Sequence, residues 1–332
     1  MKVLVVPDKF KGTATAEEVG NAIASVFSRA HEIAIQPMAD GGEGTLGVFG
    51  GPNRKSTVLD PLSRPVEAAW RLEGKSAVIE MAQASGLTLV DGKEGNDPIN
   101  ASTFGTGQLI SKAIERGAES ILVGLGGSAT TDGGFGALEA LKPHDRLKPV
   151  ELNVACDVTT SFVDSARVFG PQKGASPPQI VFLEKRLERL AQLYFEERAV
   201  DVRKIPMSGS AGGLAGGLVS LGANLLNGFE AVAEKVGLLD LIEEADLVVT
   251  AEGEVNESTF NGKVVGGVLK LAEEMKTQAL VIAGKVTGDI AQSLPIITLV
   301  QCVGEEMAYT DTQKAIVLTT EKAMSDWSSK NR

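Results

Sequence analysis

The chain is expected to fold as two α/β domains, a parallel Rossmann-like domain and a second, mixed α/β domain inserted into it. Three observations carry this expectation. Short apolar runs of strand length repeatedly end on a loop containing Gly or Asp and pass into a helical pattern, as parallel βα units do. The 38 glycines among 332 residues gather at the ends of those runs rather than in linker-like tracts. One stretch breaks the rhythm: residues 66–72 and 76–81 flank Glu73-Gly74-Lys75 and read as an antiparallel hairpin, which starts a second unit. The implied boundaries are 1–60 with 225–332 for the parallel domain and 61–224 for the insert.

The elements follow in order. Val3–Val6 is a buried-strand run, and PDKFKGT follows it as a loop. A helix starts at Thr15, which forms a capping box with Glu18 and is followed by the apolar stripe Val19, Ile23, Val26 and Phe27. Ile33–Ile35 leads into ADGGEGT at 39–45. Ile121–Val123 leads into GLGGSATTDGGFG at 124–136 and then a helix containing Leu138 and Leu141. Val154–Cys156 ends on Asp157. Leu247–Thr250 leads into AEG, with a helix near Val264–Met275, and Leu280–Ala283 and Ile296–Val300 complete the strands. Ligands of such sheets sit outside the carboxyl ends of the strands, so the chemistry is expected in these loops.

Composition excludes several classes. A formal net charge of −11 argues against a nucleic-acid or anionic-membrane partner. No apolar stretch approaches the ~20 residues of a membrane span, and MKVLVVPDKFKG is no signal peptide. Cys156 and Cys302 are the only cysteines, and His31 and His144 the only histidines, which excludes a disulfide framework and a zinc site. A reducing, cytoplasmic setting fits.

Gly126 and Gly127 let backbone N–H groups approach a ligand, and Ser128, Thr130 and Thr131 add hydroxyls, so this loop reads as a phosphate cradle. Its first six residues also match G-x-G-x-x-A. With Asp157 as a ribose-binding acid, an NAD(P)-dependent hydroxy-acid dehydrogenase stays open. A second small-residue stretch, GSAGGLAGG at 209–217, offers Gly209, Gly212 and Gly213 either to a phosphate or to close helix packing. Gly262-Lys263 is no Walker A, because the upstream glycine and a following hydroxyl are missing, but Lys263 opens a helix and can meet a phosphate.

Acidic residues recur in the same loops. Magnesium takes oxygen ligands, commonly one or two carboxylates with substrate phosphate, which nominates Asp157, Asp40, Glu43 and Glu252. Phosphoryl transfer also needs an acceptor for the hydroxyl proton, and Asp132, four residues beyond the cradle, is the candidate base. Lys9 and Lys11 after the first strand are the candidate catalytic cations. Lys173 in FGPQKGA is a further cation.

Together PDKFKGT at 7–13, ADGGEGT at 39–45, GLGGSATTDGG at 124–134, ACDV at 155–158, FGPQKGA at 169–175 and AEG…GK at 251–263 resemble the bacterial glycerate kinase family (type I). The resemblance runs in order over nearly the whole chain. It implies a two-domain α/β fold with its active site in a cleft, and transfer of the ATP γ-phosphate to D-glycerate with Mg2+. The 2-phosphate is favoured over the 3-phosphate. The chain departs from the family's pattern at Ala251, Asn256, Thr159–Ser161 and Met207-Ser208, which keeps a weakened nucleotide- or hydroxy-acid-binding homologue as another reading.

Overall fold

The computed structural model describes residues 1–27, 31–260, 262–288 and 294–330. Eleven strands occur among them: β1 Lys2–Pro7, β2 Glu32–Ile35, β3 Arg54–Leu59, β4 Pro65–Glu73, β5 Ser76–Glu80, β6 Ser120–Gly124, β7 Glu151–Cys156, β8 Asn224–Asn227, β9 Leu247–Val255, β10 Gln278–Val286 and β11 Ile296–Thr298. The chain divides into two compact units, residues 1–40 with 229–332, and residues 41–228. The break thus falls at 40 rather than 60, and 225–228 belong to the insert. Strand pairing is the reason: β3 ladders onto β4 and β8 onto β7, so both ends of the 41–228 segment join its own sheet.

The first unit is a five-stranded sheet of order β11-β10-β9-β1-β2, parallel throughout. Its strands are nearly continuous apolar runs because both faces are covered. Val3, Val5, Leu247, Val249, Leu280 and Ile282 share one core with residues of the helices Ala16–Ala24 and Thr312–Lys330. Val281, Ala283 and Val255 pack with Val265 of the helix Val264–Met275. The capping box at Thr15 forms: Glu18 N–H donates to Thr15 Oγ1 (3.2 Å), and Thr15 N–H donates to Glu18 Oε2 (2.8 Å). The helix ends at Ala24, so Val26 and Phe27 lie past its last turn, where Phe27 still packs on the core. Thr15→Ala is expected to cost about 1 kcal/mol of stability, read as a lower denaturant midpoint at unchanged slope. An unchanged midpoint would show that the cap contributes nothing.

The second unit is a six-stranded mixed sheet of order β3-β4-β5-β6-β7-β8. β3, β4 and β5 pair antiparallel, and β5 to β8 run parallel. The expected hairpin is β4–β5, closed by Gly74 at φ 55°. Alternation along β4 buries Ala68, Trp70 and Leu72 against Leu109 and Ile110 of the helix Phe104–Glu115. Trp70 keeps its polar edge satisfied by donating to Ser56 Oγ at 3.0 Å. A separate core of Phe162, Leu183, Leu187 and Tyr194 lies under the 22-residue helix Pro177–Arg198. Among the described residues no helix is long and apolar enough to cross a membrane.

Candidate active site

In the first unit the order reverses between β1 and β9: the chain goes from β1 to β2 on one side, then returns to β9, β10 and β11 on the other. Such a switch point opens a crevice at the carboxyl ends of the two strands, where α/β sheets bind ligands. Asp8 follows β1 there, and Glu252 lies in β9. The strands are tied by Asp8 N–H donating to Ala251 O (2.8 Å) and by Thr250 Oγ1 donating to Val6 O (2.7 Å).

Asp8 is buried, and its Oδ1 accepts the Lys9 N–H at 2.7 Å. Burial first, and then the charge of Asp40, push its carboxyl up to about 7 against the opposing pull of Lys9. Burial also pushes Glu252 up to about 7. Lys263 and a 3.2 Å hydrogen bond from Thr259 Oγ1 oppose that rise, and Asp40 adds to it. Asp40 therefore acts on both carboxyls. Lys9 is half-buried, whereas Lys11 stands exposed on a tight turn closed by reciprocal Phe10–Ala14 backbone bonds. Lys263 is the N-cap of Val264–Met275. Asp8 is absent from the sequence-derived candidates because its loop is conspicuous for lysines. The available signal was its place directly after a buried strand.

The second unit gathers other loops at the carboxyl edge of its own sheet. Glu80, at the end of β5, is buried and accepts the N–H groups of Gly44 (3.1 Å) and Leu46 (2.8 Å), which fixes the ADGGEGT loop. That loop packs on β6 and β7 so closely that a side chain at Gly124 or Gly126 would overlap the backbone of Gly41 or Gly42. Glu43 and Asp157 are both exposed there. Cys156, just before Asp157, is pushed up to about 12 by burial, so its thiol is inert. Gly127 is exposed at φ 72°, and Gly126 and Ser128 are half-buried beside it. Among the described residues, the amide N–H groups of Gly126, Gly127 and Ser128 meet no protein acceptor. Thr130 is buried, its hydroxyl 3.1 Å from Ser128 Oγ.

Three sequence expectations are corrected here. Asp132 is not placed as a free base. Its carboxylate is buried and accepts Thr103 N–H and Oγ1–H (both 2.8 Å), Gly134 N–H (3.1 Å) and Gly136 N–H (3.2 Å). Four donors hold it in place, as in a turn or cap, because the segment before the helix Phe135–Ala140 has amides that need an acceptor. Gly209, Gly212 and Gly213 are buried packing glycines rather than a phosphate cradle. A Cβ would lie 2.1 Å from Ser161 O at Gly209, 1.9 Å from Thr130 O at Gly212, and 2.8 Å from Phe162 at Gly213. The G-x-G-x-x-A match also lacks its context. The fingerprint requires the helix to open at the glycines, whereas here it opens at Phe135, beyond an isolated bridge between Gly86 and Ser128.

The four proposed metal carboxylates are divided between the two units. Asp40 and Glu252 belong to the first unit, Glu43 and Asp157 to the second. Among the described residues no three His, Cys, Asp or Glu side chains are grouped to hold an ion. The pair Asp40–Glu252 still offers the hard oxygen donors that magnesium takes together with phosphate.

Comparison with known proteins places the chain in a family. A glycerate 2-kinase of Escherichia coli is 37% identical over 332 aligned residues, covering 87% of each chain. A glycerate kinase of Halalkalibacterium halodurans is 39% identical over 323, covering 85% of each. A crystal structure of a candidate glycerate kinase 2 from Salmonella typhimurium superposes with a TM-score of 0.82 at 32% identity over the full length of both chains. The sequence profile of the glycerate kinase family matches residues 3–144 and 142–327. The chain therefore belongs to the glycerate kinase family.

Proposed function

We propose that this chain transfers the γ-phosphate of ATP to D-glycerate in the cytoplasm, forming 2-phosphoglycerate, with Asp8 as proton acceptor. The observation that carries the reading is the pair of carboxyls at the β1/β9 switch point, buried Asp8 and half-buried Glu252, each pushed up to about 7. A carboxyl poised near neutrality takes a hydroxyl proton efficiently and returns it to solvent. Asp8 is favoured over Glu252 because Glu252 carries a hydroxyl donor and the nearby Lys263 charge, whereas Asp8 carries one backbone N–H and the charge of Lys9. The glycerate hydroxyl loses its proton to Asp8 as its oxygen bonds to the γ-phosphorus. The bond from that phosphorus to the β–γ bridging oxygen breaks, and ADP leaves.

Asp40 and Glu252 would hold magnesium, which neutralises charge on the phosphates when bound. Lys9, Lys11 and Lys263 serve as point charges for phosphate or for the substrate carboxylate. The amides of Gly126–Ser128 serve as an anion cradle. Glu43 and Asp157 are the remaining oxygen donors. The 2-position is supported by the glycerate 2-kinase among the relatives.

The test is ADP release with ATP, D-glycerate and magnesium, followed by enolase, which acts on 2-phosphoglycerate and leaves 3-phosphoglycerate unchanged. Activity should vanish on chelation and return with added magnesium. Product inert to enolase would move the phosphate to the other hydroxyl. Hydroxypyruvate-dependent oxidation of NAD(P)H in place of ADP release would restore the dehydrogenase reading.

A further inference from the structure

In the second unit, one turn has four of its carbonyls held by side chains from three places in the fold, two of them on the helix Pro177–Arg198. Ala129 O accepts from Asn96 Nδ2 (3.0 Å) and Thr130 O from Lys173 Nζ (2.6 Å). Thr131 O accepts from Arg186 Nη2 (2.6 Å) and Gly133 O from Tyr194 Oη (3.0 Å). Lys173 is the unusual member. It is 2% exposed, among the described residues no carboxylate is bonded to it, and an apolar side chain would occupy the same space without the penalty of burying an amine. Its amine lies directly behind the Ser128–Thr130 segment, 3.5 Å from Ser128 Oγ, which in turn accepts the Thr130 N–H.

We propose that Lys173 is a positioning residue for anion binding at the Gly126–Ser128 turn. Its amine holds the Thr130 carbonyl and lies 3.5 Å from Ser128 Oγ, so it fixes the segment that carries the Gly126–Ser128 amides, and its charge adds to the field at their N–H ends. This rests on the reading that the turn binds a substrate anion, either the phosphates of ATP or the carboxylate of glycerate. Burial pushes the amine down to about 7, while Asp132, the charged group of the turn that acts on it, works the other way. Asp132 also acts on Arg186, and the face of Phe169 lies 6.0 Å from Nζ. Anion affinity at the turn therefore falls as pH rises through neutrality and the ammonium loses its proton.

Two pairs of variants separate the inference from the reading beneath it. Gly127→Asp and Gly127→Asn make the same demand on a positive-φ backbone and differ in charge. A KM at least ~10-fold higher in the Asp variant, for MgATP or for D-glycerate, establishes the turn as an anion site and names the anion. Equal KM values for both substrates in the two variants would overturn the reading itself.

With the reading standing, Lys173→Met should raise that same KM by ~10-fold with kcat within about threefold. It should also abolish the wild-type rise in KM from about pH 7 to about pH 9. The nucleotide's own titration is common to both proteins and cancels. If the Met variant does not fold, Lys173→Gln, which retains a neutral donor, should show the flattened pH profile. A folded Lys173 variant with wild-type KM and pH profile overturns the inference, as does a loss confined to kcat.

Discussion

Asp8→Asn is expected to lower kcat by a factor of about 10²–10⁴ while making the folded protein more stable above neutral pH. The two effects have one cause. Asn keeps the oxygen that accepts the Lys9 N–H, so the loop geometry survives, but it cannot take a proton. The stability effect follows from linkage. The carboxyl titrates near its ordinary value of 3.8 in the unfolded chain and at about 7 when folded. Below the lower value both states are protonated and there is no penalty. As pH rises between the two, the unfolded state ionises while the folded state holds its proton, so stability falls. Above about 7 the penalty is complete, on the order of 2–4 kcal/mol, and Asn removes it. The wild-type rate should fall on the acid side of neutrality as the base becomes protonated. Denaturant midpoints and pH–rate profiles of the two proteins read both effects. A kcat within threefold of wild type would remove Asp8 from the chemistry, and a variant less stable at pH 8 would contradict the burial argument.

Asp132→Ala should act in the opposite sense, costing about 3–5 kcal/mol of stability while the folded fraction keeps nearly its full kcat. Removing this carboxylate strands two donors on Thr103 and the N–H groups of Gly134 and Gly136 in a buried setting. Water cannot easily replace an acceptor there, since Gly133 and Gly134 pack against Leu190, Phe162, Leu187, Leu214 and Gly217. Thermal melting followed by activity at a temperature well below the transition separates the two quantities. An unaltered melting curve with turnover reduced a hundredfold or more would return Asp132 to the role of base.

Much of this protein was legible in its residue order, where the signal is local. Thr15 and Glu18 spell a cap that forms between neighbours three residues apart, and the Val3–Val6 run can satisfy its apolar side chains only in a sheet covered on both faces. The hairpin at Gly74 needs no distant partner for its register. The two-unit plan was legible too, but its break was placed twenty residues late, because β3 declares itself a member of the second sheet only by pairing with β4.

The carboxylates mark where that legibility ends. An Asp in a glycine-rich loop looks the same in sequence whether donors surround it or a neighbouring charge crowds it. Asp132 is satisfied by four donors contributed by Thr103, Gly134 and Gly136, and Asp8 is crowded by Asp40 from beyond another strand. The glycines at 209–213 divide from those at 126–127 on the same ground. Ser161, Thr130 and Phe162 fill the space above the buried first set, whereas of the second set Gly126 is half-buried against Gly42 and Gly127 is exposed. The sequence by itself determined the strand–loop–helix rhythm and the family, because periodicity and motif order are properties of neighbours along the chain. Which acid is free to react and which glycine is free to bind was decided only by the tertiary structure, because burial, hydrogen-bond donors and neighbouring charges come from residues far apart in the chain.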